Sequence, residues 1–261
     1  MRTLQTFGLS LCSLQSFYFN RYPINLIKNM KKYLLKYALE FLVIVMGISV
    51  SFWLNEISVE KNENRERLKV LNNIKTEIKD IQKYTGDRMK YWQDDIDLYS
   101  MFLNPEFEIN SIKEITSSKS RIEYNLIYYR DFEPPMNRYI SIINTGSFKF
   151  IKSERIKETL TRLHTINYSN INTSVQYEKL LKEHLIEIIT KNHPNLLFAS
   201  NDSQISIEDY SRLLKKEIEK DSILKSNLII QLKYFETKKS LLTLYIYTLE
   251  ELEAELSKTF Q

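Results

Sequence analysis

The sequence predicts an all-α protein in which one transmembrane helix near the N-terminus continues into a stalk and an antiparallel helical bundle. Residues 37–54 read YALEFLVIVMGISVSFWL, an almost unbroken apolar run. Glycine occurs only four times and proline five times in 261 residues, a composition that favours helices. Beyond the run, apolar residues recur mostly at steps of three and four, which is the helical period.

Two interpretations remain open for the first 29 residues. Met30-Lys31-Lys32 looks like a natural translation start, so residues 1–29 would be a mis-assigned extension. Alternatively, residues 1–29 form an interfacial helix, because five apolar side chains share one helical face. Those side chains are Leu4, Phe7, Leu11, Leu14 and Tyr18. In either case, residues 1–36 are predicted to form a short cytoplasmic leader.

The apolar run at residues 37–54 is predicted to be an uncleaved membrane anchor. At 1.5 Å per residue a helix of this length reaches about 27 Å, the thickness of a hydrocarbon core. The bulky sequence Ser51-Phe52-Trp53-Leu54 does not suit signal-peptide cleavage, which needs small residues. Residues 1–36 contain six Lys or Arg and no acidic residue. The positive-inside rule therefore predicts an inner-membrane protein with a cytoplasmic N-terminus and a periplasmic C-terminal domain.

The composition of the remaining chain excludes several functional classes. The net charge of +4 arises before Asn55, because residues 55–261 contain 31 basic and 32 acidic residues. A near-neutral domain without a basic stripe is not expected to bind nucleic acid. The single cysteine, Cys12, precedes the anchor, so no disulfide framework or thiolate metal site is expected in the exported domain.

The exported region begins with a polar stalk at residues 55–67, followed by a bundle over residues 68–261. Apolar residues in near-heptad rhythm predict a helix from Leu68 to Leu103, ended by Asn104-Pro105. Alternating apolar residues from Ile122 to Tyr128 predict a short strand. Glu133-Pro134-Pro135 predicts a helix start, with the helix ending near Gly146.

Three further helices are predicted. Ser153 with Glu154 opens the first, and residues 171–192 form the second, closed by His193-Pro194. Ser206 can cap the third helix, which runs from Ile207 almost to the end of the chain with a possible break near Asp221. The last part of this helix is expected to pack antiparallel to the helix over residues 68–103.

Glu40 is the most informative polar residue, because a carboxylate inside a span is costly unless it faces protein or water. Glu40, Ile44, Gly47 and Ser51 share one helical face, and the two small residues allow close helix approach. This face predicts a helix–helix seam in the membrane, used for homo-oligomerisation or for a membrane-protein partner. The alternative is a Glu40 that extends towards the interface and pairs with Lys36.

No pattern in the bundle predicts catalytic, cofactor-binding or metal-ligating residues. The histidines match no zinc motif and are expected at the surface, as are Asp94, Asp95 and Asp97. A set of aromatic residues is a possible partner or ligand surface, although core packing under a loop is the more ordinary interpretation. Its members are Tyr124, Tyr128, Phe132 and Tyr139.

The anchor and its flanks resemble a family of bacterial single-pass membrane proteins of unknown function. KYLLKYALEFLVIVMGISVSFWLNE carries a basic leader, Glu40 early in the span, Gly47 within it and Asn55 at the exit, as members of that family do. Leu39 stands where the family has glycine, and the exit tryptophan is shifted to Trp53. The resemblance covers about residues 30–260 and implies an anchor with a helical ectodomain, without an assigned activity.

The sequence therefore predicts a non-enzymatic structural or interaction subunit that scaffolds or regulates a membrane partner and contacts membrane lipid. The alternative is a sensor-like helical ectodomain that binds a small ligand. A buried pocket with converging polar groups would favour the alternative.

Overall fold

A computed structural model describes residues 24–106 and 108–259, with side chains from residue 30 onward. The all-α prediction is confirmed, because these residues form helices and turns and contain no strand. The predictions for the leader, namely the interfacial helix and the mis-assigned start, concern residues that lie largely outside the described range.

The chain divides into two compact units, one ending at Lys61 and the other beginning at Asn62. Helix α1 contributes to both units, and the remaining helices belong to the second. The helices are α1 (Ile24–Leu103), α2 (Ile112–Ile115), α3 (Lys119–Ile127), α4 (Asn137–Asn144), α5 (Glu154–Thr161), α6 (Tyr168–Asn192), α7 (Pro194–Asn201), α8 (Ile207–Lys220) and α9 (Ser222–Thr259). Short 3₁₀ turns cover Ile109–Ser111 and Ser147–Phe150, and a π-helical segment covers Arg162–Asn167.

The part of α1 in the first unit is apolar and exposed. Its most apolar 18-residue window has a mean hydropathy of 1.9, and none of that window is buried. By length and composition, α1 is able to cross a membrane. Residues 55–67, the predicted stalk, are helical and mostly exposed.

In the second unit, α1 and α9 pack antiparallel, as predicted. Gln82 of α1 donates to Glu253 of α9 over 2.6 Å, whereas Tyr99 of α1 meets Gln231 of α9 at 3.0 Å. Residue numbers along α9 decrease as those along α1 increase, so the two helices are antiparallel.

Helix α6 completes a three-helix arrangement. Asn167, just before α6, donates to Thr248 over 2.7 Å, and the rings of Tyr177 and Tyr234 lie 5.9 Å apart. Helix α6 is therefore antiparallel to α9 and parallel to α1. The other helices pack around these three.

The segment between α1 and α5 corrects two sequence predictions. The predicted strand over residues 122–128 is wrong, because the chain forms helix α3 there. Its buried residues Ile122 and Leu126 are four apart and lie on one helical face. Helix α4 begins at Asn137, later than the Pro134-Pro135 start, and Gly146 after it adopts a left-handed φ of 66°.

The two predicted serine caps are present, whereas the predicted separation between α5 and α6 is absent. Ser153 accepts a hydrogen bond from the Ile156 N–H, and Ser206 accepts one from the Asp209 N–H. The break near Asp221 separates α8 from α9. However, α5 and α6 are joined without a loop, because the chain continues through the π-helical segment.

Candidate functional site

A layer of buried charged residues divides the hydrophobic core of the bundle into two clusters. On α1 the first cluster ends at Trp92 and the second begins at Leu98, with Asp95 between them. On α6 Glu178 and Lys182 occupy the same boundary, and on α9 Lys238 does. All three long helices therefore place charge at one level, which we call the polar layer.

Lys238 and Glu178 form the centre of the polar layer. Their side chains are 0% and 2% exposed and form a direct salt bridge between α9 and α6. The Lys238 ammonium also lies 4.7 Å from the ring centroid of Trp92 and 5.1 Å from that of Phe235. Burial lowers the pKa of Lys238, and the neighbouring Glu178 carboxylate opposes this effect.

Lys182 contributes a second buried amine to the polar layer. Its Nζ donates to the Tyr99 hydroxyl over 2.7 Å and to the main-chain carbonyl of Asn125 in α3. It also lies 4.9 Å from the Tyr99 ring centroid. Complete burial lowers the pKa of Lys182 to about 7, an effect that the charges of Glu178 and Asp95 oppose.

Asp95 closes the layer on the side of α3. The Arg130 Nε donates to one Asp95 oxygen over 2.8 Å, and Arg121 reaches the other oxygen at 3.4 Å. Asp95 is buried, so the predicted position on a solvated face is wrong for this residue. Its two arginine partners supply the charge that makes its burial tolerable.

The charges of the polar layer nearly balance. The cations Lys238, Arg130 and Arg121 offset the carboxylates Glu178, Asp95 and Asp94, and Lys182 is the cation left over. Burial is the main cause of the lowered pKa of Lys182, because an apolar setting disfavours the charged amine. A shift of one helix along another would separate these partners and leave charges buried and unpaired, which costs free energy. The polar layer therefore favours a single alignment of α1, α6 and α9.

A second buried polar group joins α1 to α4 and to the π-helical segment. The Glu77 carboxylate accepts the N–H groups of Arg138 and Tyr139 over 2.7 and 3.0 Å, so it caps the start of α4. His164 lies 3.4 Å from Glu77, and its ring stacks on Tyr139 with centroids 4.1 Å apart. Burial raises the pKa of Glu77 and lowers that of His164 to about 4.

The histidine predictions hold for one residue of three. His184 is exposed as expected, whereas His164 and His193 are buried. His193 lies 3.0 Å from Glu217 and 2.8 Å from Asp221, so it joins the C-terminal end of α8 to the C-terminal end of α6. Within the described part of the chain, no three His, Cys, Asp or Glu residues are placed to hold a metal ion.

The predicted membrane seam lies entirely in the exposed part of α1. Ser51 donates to the Gly47 carbonyl over 2.8 Å, and a Cβ added at Gly47 would meet nothing within 4 Å. The Glu40 carboxylate lies 3.9 Å from Lys36, one turn earlier. Glu40, Ile44, Gly47 and Ser51 therefore share an open face, and the pairing with Lys36 also forms.

The predicted aromatic surface does not come together as one set. Phe132 is buried among Tyr84, Trp92, Tyr168 and Tyr245, and its ring lies 5.2 Å from that of Tyr245. In contrast, Tyr124 stacks on the exposed Tyr128 with centroids 5.0 Å apart, and Tyr139 stacks on His164. Phe132 belongs to the core and the half-buried Tyr139 packs against the same cluster, so core packing describes these two of the four residues.

A hollow between α1 and α4 is a candidate for the small-ligand site that the sensor alternative requires. It has a volume of about 240 Å³ and includes Glu66, Lys69, Asn73 and Ser141 in its lining. This is below the roughly 300 Å³ at which small-molecule sites usually begin. The hollow therefore gives the sensor alternative little support.

Sequence reasoning missed Glu178, Lys182 and Lys238. A signal was present, because Val175, Glu178, Lys182 and Leu185 are spaced by three, four and three residues in the core register of α6. Charged residues at core positions of a helix are the pattern to search for.

Comparisons of the chain with protein-family models, with curated proteins and with solved structures find no match. The resemblance to a family of single-pass membrane proteins therefore stays a prediction.

Proposed function

We propose that this protein is a membrane-anchored interaction subunit, held in the bacterial inner membrane by the apolar part of α1 and acting through binding rather than catalysis. Its leader lies in the cytoplasm and its bundle in the periplasm. The observation that carries the proposal is the apolar part of α1, which is able to span a membrane and has no buried residue in its most apolar window. A helix surface of this kind is stable in lipid and unfavourable in water.

The charge distribution supports the orientation. Six basic residues precede the span, and no acidic residue accompanies them. The open face of Glu40, Ile44, Gly47 and Ser51 supports contact with another membrane helix. The bundle, held in register by its polar layer, would regulate or scaffold that partner.

Membrane fractionation tests the anchor. The full chain is expected to remain in the membrane pellet after carbonate extraction. Replacing Val43 and Val45 by arginine should release it, because each central arginine costs about 2.5–3.5 kcal/mol of insertion free energy. The matched control replaces Ile140 and Ile143, two exposed apolar residues of α4, by arginine and should leave the protein in the pellet. A wild-type chain in the supernatant contradicts the proposal.

Reporter fusions at the C-terminus test the orientation. A fusion to a phosphatase that works only in the periplasm should be active, and a fusion to a fluorescent protein that matures only in the cytoplasm should be dark. The opposite pair of results contradicts the proposed topology.

Affinity purification from membranes tests the seam. Glu40→Leu should remove a co-purifying membrane partner, whereas Val45→Leu, on another face of the same helix, should retain it. An unchanged set of partners in Glu40→Leu contradicts the seam.

A further inference from the structure

The outer surface shared by α6 and α9 is unusually free of charge. No Asp, Glu, Lys or Arg occurs in residues 163–177 or in residues 240–249, although 27% of the chain is charged. The hydrogen bond of Asn167 to Thr248 places these two segments side by side, and the contact of Tyr177 with Tyr234 continues the pairing of α6 and α9 just beyond the second segment. A water-exposed helix surface normally carries charged side chains, whereas the centre of a protein interface is depleted of them.

Large apolar side chains are exposed on this surface, which we call the α6/α9 face. Ile166 is 57% exposed, Leu244 50% and Tyr247 65%. Tyr177 is also exposed, and the exposed Leu180 and Ile230 extend the α6/α9 face beyond the charge-free segments, where the exposed Lys233 lies beside Ile230. At these fractions each side chain exposes on the order of 100 Å², so the face is about as large as the largest apolar patch on a typical monomer, roughly 300–600 Å², which is often a functional surface.

The other two grooves between the long helices are covered or polar. The α3–α4 segment covers the groove between α1 and α6, where the ring of Phe132 lies 6.0 Å from that of Trp92 and 6.2 Å from that of Tyr168. The groove between α1 and α9 is crossed by polar pairs such as Gln82 with Glu253. Within residues 24–106 and 108–259, the α6/α9 face is therefore the groove of this three-helix arrangement whose large apolar side chains stay exposed.

We propose that a second copy of this chain covers the α6/α9 face. A partner must present an apolar, uncharged surface, and each copy carries one. With the uncharged polar residues Asn170 and Thr173 included, the face approaches the roughly 800 Å² that each partner contributes to a standard interface. The area and the absence of charge from residues 163–177 and 240–249 thus both suit an isologous dimer, in which the same patch of each copy forms the contact.

The antiparallel course of α6 and α9 suits such a dimer. A two-fold axis parallel to the helices sets α6 of one copy against α9 of the other, which completes an antiparallel four-helix arrangement. This inference rests on the proposed membrane anchoring in one respect. Copies held in the same membrane meet at a raised local concentration, which favours a contact of modest area.

Co-purification of two differently tagged full-length copies from detergent-solubilised membranes tests the dimer. Wild-type copies should co-purify. Leu244→Glu should reduce the captured copy at least about tenfold, because a two-fold axis introduces the carboxylate twice into an apolar contact. Phe198→Glu is the matched control, since Phe198 is an exposed apolar residue of α7 outside the α6/α9 face. It should co-purify like the wild type.

Four outcomes of this experiment would contradict the α6/α9 dimer. Wild-type copies that do not co-purify, or Leu244→Glu copies that co-purify fully while keeping wild-type helical content, overturn it. Loss of co-purification in Glu40→Leu but not in Leu244→Glu assigns dimerisation to the span, and a different protein seated on the face also overturns the inference. A membrane-bound monomer refutes the dimer alone, whereas a chain absent from the membrane refutes the proposed function.

Discussion

At the scale of single residues, the buried salt bridge between Lys238 and Glu178 is expected to make the stability of the bundle depend on both charges. Glu178→Gln removes the negative charge and leaves the Lys238 ammonium buried without its counter-ion. We expect the full chain in detergent to lose about 3 kcal/mol of unfolding free energy. Urea unfolding followed by circular dichroism measures the change.

The control is Glu183→Gln, which makes the same chemical change at an exposed position of α6. It should alter the unfolding free energy by less than about 0.5 kcal/mol. Replacing the pair together, Glu178→Leu with Lys238→Met, should recover most of the loss, because apolar side chains of similar size need no counter-ion. Equal stabilities of Glu178→Gln and Glu183→Gln would show that the pair contributes nothing.

The charged residues of the polar layer show where single-residue prediction fails. Polarity alone placed Asp95 on a solvated face, and its burial depends on Arg130, which follows it by 35 residues. Such a partner becomes visible only when α3 folds back onto α1. For Lys182 the heptad spacing predicts burial and the charge predicts exposure, so tertiary packing decides between them.

At the scale of elements, the two glycines Gly146 and Gly86 give substitutions of opposite sign. Gly146 follows α4 with a φ of 66°, where an added Cβ is strained even though no atom lies within 4 Å of it. Gly146→Ala should destabilise the bundle by about 1 kcal/mol. Gly86 lies within α1 with open space around it, so Gly86→Ala should stabilise by up to about 1 kcal/mol.

The same measurement tests both glycine substitutions, since thermal unfolding of the two variants should shift in opposite directions from the wild type. Two shifts of the same sign would contradict the assignment of backbone strain to Gly146. Since both changes add one methyl group at an open position, each serves as the control for the other.

Local signals were sufficient for some elements and not for others. Ser153 and Ser206 predict their helix starts correctly, because capping is a contact within one turn. The start of α4 was misplaced, because its cap is the Glu77 carboxylate supplied by α1. Apolar residues alternate over residues 122–128, which is compatible with a strand. In the fold, however, Ile122 and Leu126 lie on one face of a helix and pack into the second core cluster.

At the scale of the whole molecule, the polar layer and the two apolar clusters have different effects. The clusters supply burial without specifying which turn of one helix meets which turn of another. The polar layer adds that specification, because a shift of α9 along α6 would separate Lys238 from Glu178 and leave both charges buried and unpaired. Overall architecture followed from the apolar pattern of the sequence, whereas this alignment followed from the fold.

The polar layer also predicts how the stability of the molecule changes with pH. Lys182 has a pKa of about 7 in the folded chain, against 10.5 for an ordinary lysine. Between these values the unfolded chain holds a proton that the folded chain has released. Raising the pH through this window therefore favours the folded state, by up to about 1 kcal/mol per pH unit from this group. Below pH 7 both states are protonated and the contribution is constant.

Urea unfolding of the full chain at several pH values in this window measures the effect. Lys182→Met should show a shallower rise of unfolding free energy with pH than the wild type. Lys191→Met, at an exposed position of the same helix, should leave the slope unchanged. The series stops at about pH 10, because burial raises the pKa of Tyr210 and Tyr245 and makes stability fall above that point. Identical slopes in Lys182→Met and the wild type would show that Lys182 keeps its proton in the folded chain.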